Sequence, residues 1–396
     1  MKVAYAHDHV MHHYHHHYYS NGSFSKMVLQ RYTTIFREVR FLSRQKALEE
    51  MPTNMSLAST EGVVFVGVPN FRSLKKLHTI HQASKIVERE IADCDCLIAR
   101  LPSSIGKMAV KYAKHHKKPY LIEVVGCAWD ANMNHGSVLG KIIAPYEAMT
   151  YKCYIAQSNY TIYITKKFLQ SRYPSKGKSV ICPNVVIDWV ETETLKRRKE
   201  KIYGQKNNLK FGLIGSLNVD YKGHETVIRA LGLIKEEIPE FTIEFVGKGD
   251  VSRWESLIKA CSLEDHVTFM GTLPSGKDVF AWMDTLDIAL QPSTAEAQGR
   301  CIIEAMSRGC PVIASKVGGI RELIDDPWLI SPKDYRDLAT KIKHLISDKE
   351  AMLHQAMINF QSAKQYYKPR IEKVRHRFLH EFKTSVRQNQ HELKAL

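Results

Sequence analysis

QPSTAEAQGRCIIEAMSRGCPVIA, from Gln291 to Ala314, reads as a strand end, a polar loop, a helix beginning near Gly299, a stop at Gly309 and a new buried strand. Gly309 can take a positive φ and so suits the residue just past a helix, and Pro311 blocks continuation. Strand, loop, helix, strand is the repeating unit of a parallel sheet with crossover helices.

The same alternation runs outward from this stretch. In the second half, strands are expected at Lys210–Ile214, Thr242–Val246, Val267–Met270, Ile288–Gln291 and Val312–Ala314. Between the first two, Val227, Ala230, Leu231 and Ile234 recur at helical spacing on one face. In the first half, strands are expected at Lys2–His7, Val39–Leu42, Val63–Val68, Cys96–Ala99, Tyr120–Val125, Tyr154–Ala156 and Ser179–Cys182. Helices are expected at Ser25–Phe36, Ile105–His116 and Ser137–Lys152. The highly charged run Glu191–Lys201 has almost nothing to bury and reads as a connector or short surface helix, which places the domain boundary there. Ile371, Val374, Phe378 and Phe382 pattern a tail helix after Pro369 that returns to the first domain. The fold class is therefore α/β, two Rossmann-like domains facing a cleft, with ligands at the carboxyl ends of the strands.

Length agrees with this division: 396 residues suit two domains. Hydrophobic residues at 44% and charged residues at 25% exclude disordered and fibrous classes. No apolar run reaches the roughly 18–20 residues of a membrane span. The opening Met1-Lys2-Val3-Ala4-Tyr5 starts a strand rather than a signal peptide, so a cytoplasmic location is expected. Eight cysteines without zinc spacing read as reduced core thiols. Lys and Arg outnumber Asp and Glu by 57 to 41, a net charge of +16 that favours an anionic partner.

The chemistry concentrates where the quoted helix begins. Gly299, Arg300 and Cys301 present amide N–H groups with no partner inside the helix, and the helix dipole adds positive potential, so a phosphate fits there. Glu296 in the loop and Glu304 about one turn into the helix flank that seat. Carboxylates beside a phosphate are unfavourable unless they accept hydrogen bonds from hydroxyls. A nucleotide-sugar answers all of these demands: its diphosphate lies on the helix start and its ribose and sugar hydroxyls meet the acids.

These residues resemble the E-x7-E signature of retaining glycosyltransferases of family 4, enzymes of the GT-B fold, many of which build bacterial polysaccharide and cell-envelope glycans. Glu296 and Glu304 match its two acids, and Val317-Gly318-Gly319-Ile320-Arg321-Glu322 resembles the G-G-x-x-E that follows. Ile214-Gly215-Ser216-Leu217 through Lys222-Gly223 resembles the diphosphate-holding G-R-L…K-G element, with Ser216 in place of the arginine. Arg300 is then the candidate for the missing cation. Ser20–Ser25, with Gly22, resembles the family's Gly-rich loop, and Cys182–Asp188 resembles its P-N-G-V-D hinge with Val185 for glycine. The family's usual histidine is absent around Val124–Asp130.

The resemblance implies an acceptor-binding domain over 1–190, with 370–396 packing back on it, and a donor-binding domain over 203–369. Lys222 and Glu296 would be catalytic. Gly22, Ser216, Lys222, Leu273, Glu296, Gln298, Gly299, Arg300, Cys301 and Glu304 would bind the donor, with the base near Gly271–Leu273 and the ribose on Glu304. No cofactor or metal is implied; the co-substrate is a nucleotide-sugar, a UDP-sugar ahead of a GDP-sugar. The acceptor would be a glycan or a lipid-linked molecule. Basic clusters at Lys75-Lys76, Lys114–Lys118 and Lys166-Lys167 read as solvated faces, or as contacts of a peripheral enzyme with an anionic membrane. The run from His7 to His17 reads as a loop without a specific role or as part of the acceptor side, ahead of a metal site. A non-catalytic sugar-nucleotide- or glycan-binding relative remains open, because Ser216 replaces arginine. So does a polyanion-binding protein, although no nucleic-acid-binding signature is present.

Overall fold

The computed structural model describes residues 1–396 except 23, 72–77, 135–137, 186, 189–190, 205–207, 275 and 396, with side chains to residue 390. The cluster Lys75-Lys76 lies outside the described residues, as do Ser23, Ser137 and Val186 of the segments named above. The chain divides into two compact units, Met1–Asn184 with Ile371–Leu396, and Val185–Arg370.

The first unit runs β1 (Lys2–Tyr14), β2 (His17–Ser20), α1 (Lys26–Thr33), β3 (Glu38–Ala47), β4 (Ser56–Leu57), β5 (Val63–Gly67), α2 (Ile80–Asp93), β6 (Cys96–Leu101), α3 (Ser104–His115), β7 (Tyr120–Val124), α4 (Ala128–Asn134), α5 (Val138–Ala156), β8 (Tyr160–Tyr163), α6 (Phe168–Arg172) and β9 (Lys178–Ile181). Its parallel strands lie in the order β5-β3-β1-β6-β7-β8-β9, and β1 also carries the antiparallel pair β2 and β4. Val3, Ala4, Tyr5 and Ala6 of β1 are fully buried, as the central strand of a covered parallel sheet should be.

Two sequence expectations fail here. The histidine run is not a loop: β1 continues to Tyr14, because β3 pairs with Val10–His13 on one edge and β2 with His12–Tyr14 on the other. Only His15-His16 form the turn. Tyr154–Ala156 is no strand but the last turn of α5, whose Ala144, Tyr151 and Ile155 share the buried face; the strand is Tyr160–Tyr163 instead.

The second unit runs α7 (Thr192–Tyr203), β10 (Leu209–Ile214), α8 (His224–Ile234), β11 (Phe241–Val246), α9 (Ser252–Ala260), β12 (Val267–Gly271), α10 (Lys277–Thr285), β13 (Ile288–Gln291), α11 (Arg300–Ser307), β14 (Val312–Ser315), β15 (Leu329–Ile330), α12 (Tyr335–Ser347) and α13 (Lys349–Ala363). All six strands are parallel in the order β12-β11-β10-β13-β14-β15, the doubly wound arrangement that opens a crevice at the carboxyl ends of β10 and β13. Phe211, Leu213, Ile243, Phe245, Ile288 and Leu290 fill the sheet's core. A last helix, α14 (Lys368–Ala395), belongs from Ile371 onward to the first unit.

The charged run expected as a connector or short surface helix forms α7, but it has a buried face, Thr194, Arg198 and Ile202. The Arg198 guanidinium is buried because it donates to the carbonyls of Met283, Leu286 and Arg308 at the ends of α10 and α11. Carbonyls at a helix C-terminus run short of backbone donors and carry the negative end of the dipole, so the cation caps two helix ends at once. The cysteines are all free thiols, but not all are core residues: Cys153 is exposed and Cys261 and Cys301 are half-buried.

Candidate active site

Lys222 is placed by a short connection. The chain leaves β10, passes Ser216 and turns through a 3-10 segment, Asp220–Lys222, before Gly223 starts α8. Gly223 has φ +89°, and a Cβ there would lie 2.3 Å from the Pro292 carbonyl oxygen, so only glycine lets this turn sit against the end of β13. The Thr294 amide donates to the Tyr221 carbonyl at 2.8 Å, which ties the two strand-end loops together. The consequence is a 2.7 Å contact between Lys222 Nζ and Glu296 Oε2.

The helix start is equally specific. Gly299 takes φ +74° and caps α11, with the amides of Ile302 and Ile303 donating back to its carbonyl. The amides of Gly299, Arg300 and Cys301 precede any intrahelical acceptor. The Glu296 carbonyl accepts the Gly319 amide at 3.2 Å, so the glycine pair after β14 holds the loop from its other side.

Electrostatics show how tightly the charged residues gather. Burial pushes the Cys301 thiol up to about 12; Lys222 opposes this, Glu296 and Glu304 add to it, and Arg300 opposes it. Its Sγ donates to Gln291 Oε1 at 3.1 Å. A thiol so held is a structural group, not a nucleophile. Burial works against the charge on Lys222, but the Glu296 carboxylate and Cys301 more than offset it, and its pKa rises. Burial pushes Glu304 up to about 6, with Arg300 pulling the other way.

Lys222, Glu296, Cys301, Glu304, Arg300 and Gly299 thus form one cluster at the carboxyl end of the second sheet. Gln298 is buried beside Gly299, and Arg300 is exposed. Ser216 is exposed; its hydroxyl donates to the Lys248 carbonyl just past β11 at 3.2 Å and accepts from the Asn218 amide of its own turn. Leu273 is half-buried just past β12 and packs against the cluster around Trp282 and Ile302. The Gly247 amide donates to the Gly271 carbonyl, placing Gly271–Leu273 beside the end of β11. Gly22 belongs to the first unit, on an exposed turn after β2, with φ +75° and open space at its α-carbon.

The sequence reading overlooked two groups here. Arg253 on α9 donates to the Asn218 carbonyl at 2.7 Å and to Asp220, bringing a cation to the loop that Ser216 leaves without one. Its position, two residues into a helix after β11, carries no spacing signal. His224, fully buried at the first position of α8, has its pKa lowered to about 4 by burial, Lys222 and Arg253.

In the first unit, β1 slips register between Ala6 and Val10, and Asp8 in that irregular stretch accepts the amides of Ser104 and Ile105 at the start of α3. His7 and His9 are held neutral, chiefly by burial and then by Arg100, with His9 pushed down to about 4. His9 Nε2 pairs with Ser20 Oγ at 2.8 Å. Among the described residues, Glu88, His115 and His116 bring three ligand-type atoms within 4.8 Å of one another; none belongs to the histidine run.

The family model "Glycosyl transferases group 1" matches residues 208–348, which contain the whole cluster. Protein CapJ of Staphylococcus aureus is 31% identical over 353 residues, covering 88% of this chain and 88% of CapJ. Two solved structures share the fold at low identity. Anabaena HepE, in complex with UDP and glucose, has a TM-score of 0.63 at 17% identity over 100% of this chain and 99% of that one. WaaG, a glycosyltransferase involved in lipopolysaccharide biosynthesis, has a TM-score of 0.61 at 14% identity over 96% and 98%. With the CapJ likeness running through both units and the family model spanning the site, the chain belongs to the group 1 glycosyltransferases, two-domain α/β enzymes of the GT-B fold.

Proposed function

We propose that this glycosyltransferase moves a sugar, with retention of anomeric configuration, from a UDP-sugar to a glycan or lipid-linked acceptor in bacterial envelope polysaccharide synthesis, as many family 4 enzymes do. The observation that carries this reading is the 2.7 Å pair of Lys222 and Glu296 beside the open helix start at Gly299. The UDP and glucose held by HepE favour a UDP-sugar, and the lipopolysaccharide role of WaaG favours an envelope acceptor.

Negative charge develops on the diphosphate as the bond from the anomeric carbon to the phosphate oxygen breaks. Lys222 and the amides of Gly299, Arg300 and Cys301 lower the energy of that charge, which is where preorganised donors act most strongly. Glu304 accepts the ribose hydroxyls. Glu296, oriented by Lys222, accepts hydroxyls of the transferred sugar and faces a developing oxocarbenium ion. The acceptor oxygen attacks from the leaving-group face, and its proton passes to the departing phosphate oxygen. Lys222 and the helix start supply the positive charge that a metal otherwise would, so the reaction is proposed to be metal-independent. The enzyme would work in the cytoplasm, peripherally on an anionic membrane face; no described helix is long and apolar enough to cross a membrane.

Thermal shift with UDP, GDP and ADP tests the donor, and the anomeric configuration of the product tests retention. UDP is expected to raise the melting temperature most. Lys222→Ala is expected to lower kcat by roughly 10²–10³-fold while UDP still shifts the melt. A UDP-insensitive protein, an inverted product, or unchanged turnover in the variant contradicts the reading.

A further inference from the structure

The face of α5 turned to solvent is apolar. Val138 is 73% exposed, Ile142 69%, Tyr146 70% and Met149 61%, and Leu139 beside them is 48% exposed. At 3.6 residues per turn these positions fall on one side of the helix, opposite the buried Ala144, Tyr151 and Ile155. α4 packs against α5 and adds Trp129 and Met133, both more than one-third exposed. Single exposed apolar side chains need no explanation, but a contiguous patch marks an interaction surface.

The rim of this patch is basic. Lys141 and Lys152 are exposed on one flank of α5. On the other flank, α3 presents Lys107, Lys111 and Lys114 at i, i+4 and i+7. Lys107 Nζ lies 5.9 Å from the Tyr146 ring, and Lys114 Nζ lies 5.7 Å from the Tyr154 ring. The single carboxylate of α5, Glu147, is turned away from the patch and paired with Lys107 at 2.8 Å. On α5 itself, an apolar stripe with lysines on both flanks and no acid on its exposed face is the design of a helix lying in a lipid interface; half-exposed Asp130 on α4 is the acid beside it. A second copy of the chain fits worse, because a two-fold contact sets the same lysines against one another.

We propose that α5, rimmed by the lysines of α3, docks the enzyme on an anionic lipid surface, with Ile142, Tyr146 and Met149 entering the headgroup boundary. This deepens the reading of a lipid-linked or envelope acceptor: the enzyme would be held where such an acceptor lies.

The full-length protein is mixed with vesicles of phosphatidylcholine, or of equal parts phosphatidylcholine and phosphatidylglycerol, and separated by flotation. Binding is expected only to the anionic vesicles and is expected to weaken with salt. Ile142→Glu with Met149→Glu is expected to cut binding by about tenfold or more, and Lys111→Gln with Lys141→Gln and Lys152→Gln by a similar factor. Tyr146→Trp gives a milder probe whose fluorescence is expected to shift to the blue on anionic vesicles. Equal binding to both vesicles, no binding to either, a double variant that binds like the parent, or a dimer that the double variant dissociates overturns the proposal. A UDP thermal shift on the same samples separates the two readings: loss of docking with the shift retained leaves the donor site standing, and the reverse leaves the surface standing.

Discussion

Glu304 is a carboxylate whose burial costs stability when it is charged. Its pKa rises from the ordinary 4.5 to about 6, chiefly through burial. Between these values the folded chain holds a proton that the unfolded chain has lost, so stability falls as pH rises through this window and stays lower above it. The loss is about 1–2 kcal/mol. Glu304→Gln should therefore melt at a higher temperature than the parent at pH 8 and match it near pH 4. If the ribose reading is right, the same variant should bind UDP about 10–100-fold more weakly, the worth of a hydrogen bond to a charged group. A variant that gains neither stability nor loses affinity would place Glu304 outside the site. The acid was legible in the sequence from its spacing to Glu296. Its contact with burial was not, because the packing around α11 comes from residues far along the chain.

At the scale of the element, α11 is a short helix whose start matters more than its length. Gly299 sits at φ +74°, and a Cβ there would lie 3.1 Å from Leu323 Cδ1 and 3.3 Å from Ile302 Cδ1. Gly299→Ala should cost about 1–2 kcal/mol from left-handed backbone strain, read by denaturant unfolding, and should shrink the UDP thermal shift as the amides move. A fully retained shift would separate the helix start from the diphosphate. α5 teaches the opposite lesson about legibility. Its apolar residues point both into the unit and out of it, so the sequence pattern blurred, and its last turn read as a strand. The histidines of β1 misled for a related reason. A polar run carries no inward face of its own, and what fixes it as strand is pairing with β2 across the His15-His16 turn and with β3 farther along the chain.

For the whole molecule, the last helix is fastened to the first unit by both apolar and ionic contacts. Phe378, Leu379, Phe382 and Val386 of α14 are buried, and Phe378 and Phe382 lie 5.5 and 5.4 Å from the Tyr160 ring. Arg375, 1% exposed, donates to the Pro183 carbonyl at 3.1 Å and pairs with Glu123 at 3.6 Å, while Tyr5 and Tyr32 donate their hydroxyls to the same carboxylate. Arg375→Met should cost about 3–5 kcal/mol, because it leaves the buried Glu123 carboxylate its two tyrosine hydroxyls but removes the cation paired with it. Adding Glu123→Gln should recover part of that loss in a double-mutant cycle. Additive losses would show that the two groups do not act as a pair. The sequence alone determined the alternation of strands and helices, the second unit's sheet, and the loop-helix seat from Gln291 to Ala314, since these rest on local periodicity, glycine placement and helix-end chemistry. The tertiary structure decided the rest: which acid Lys222 meets, that Arg198 is buried as a cap, that Arg253 braces the loop beside Ser216, and which face of α5 is left to solvent. Those outcomes depend on groups brought together from distant positions in the chain, and no local pattern encodes such a distance.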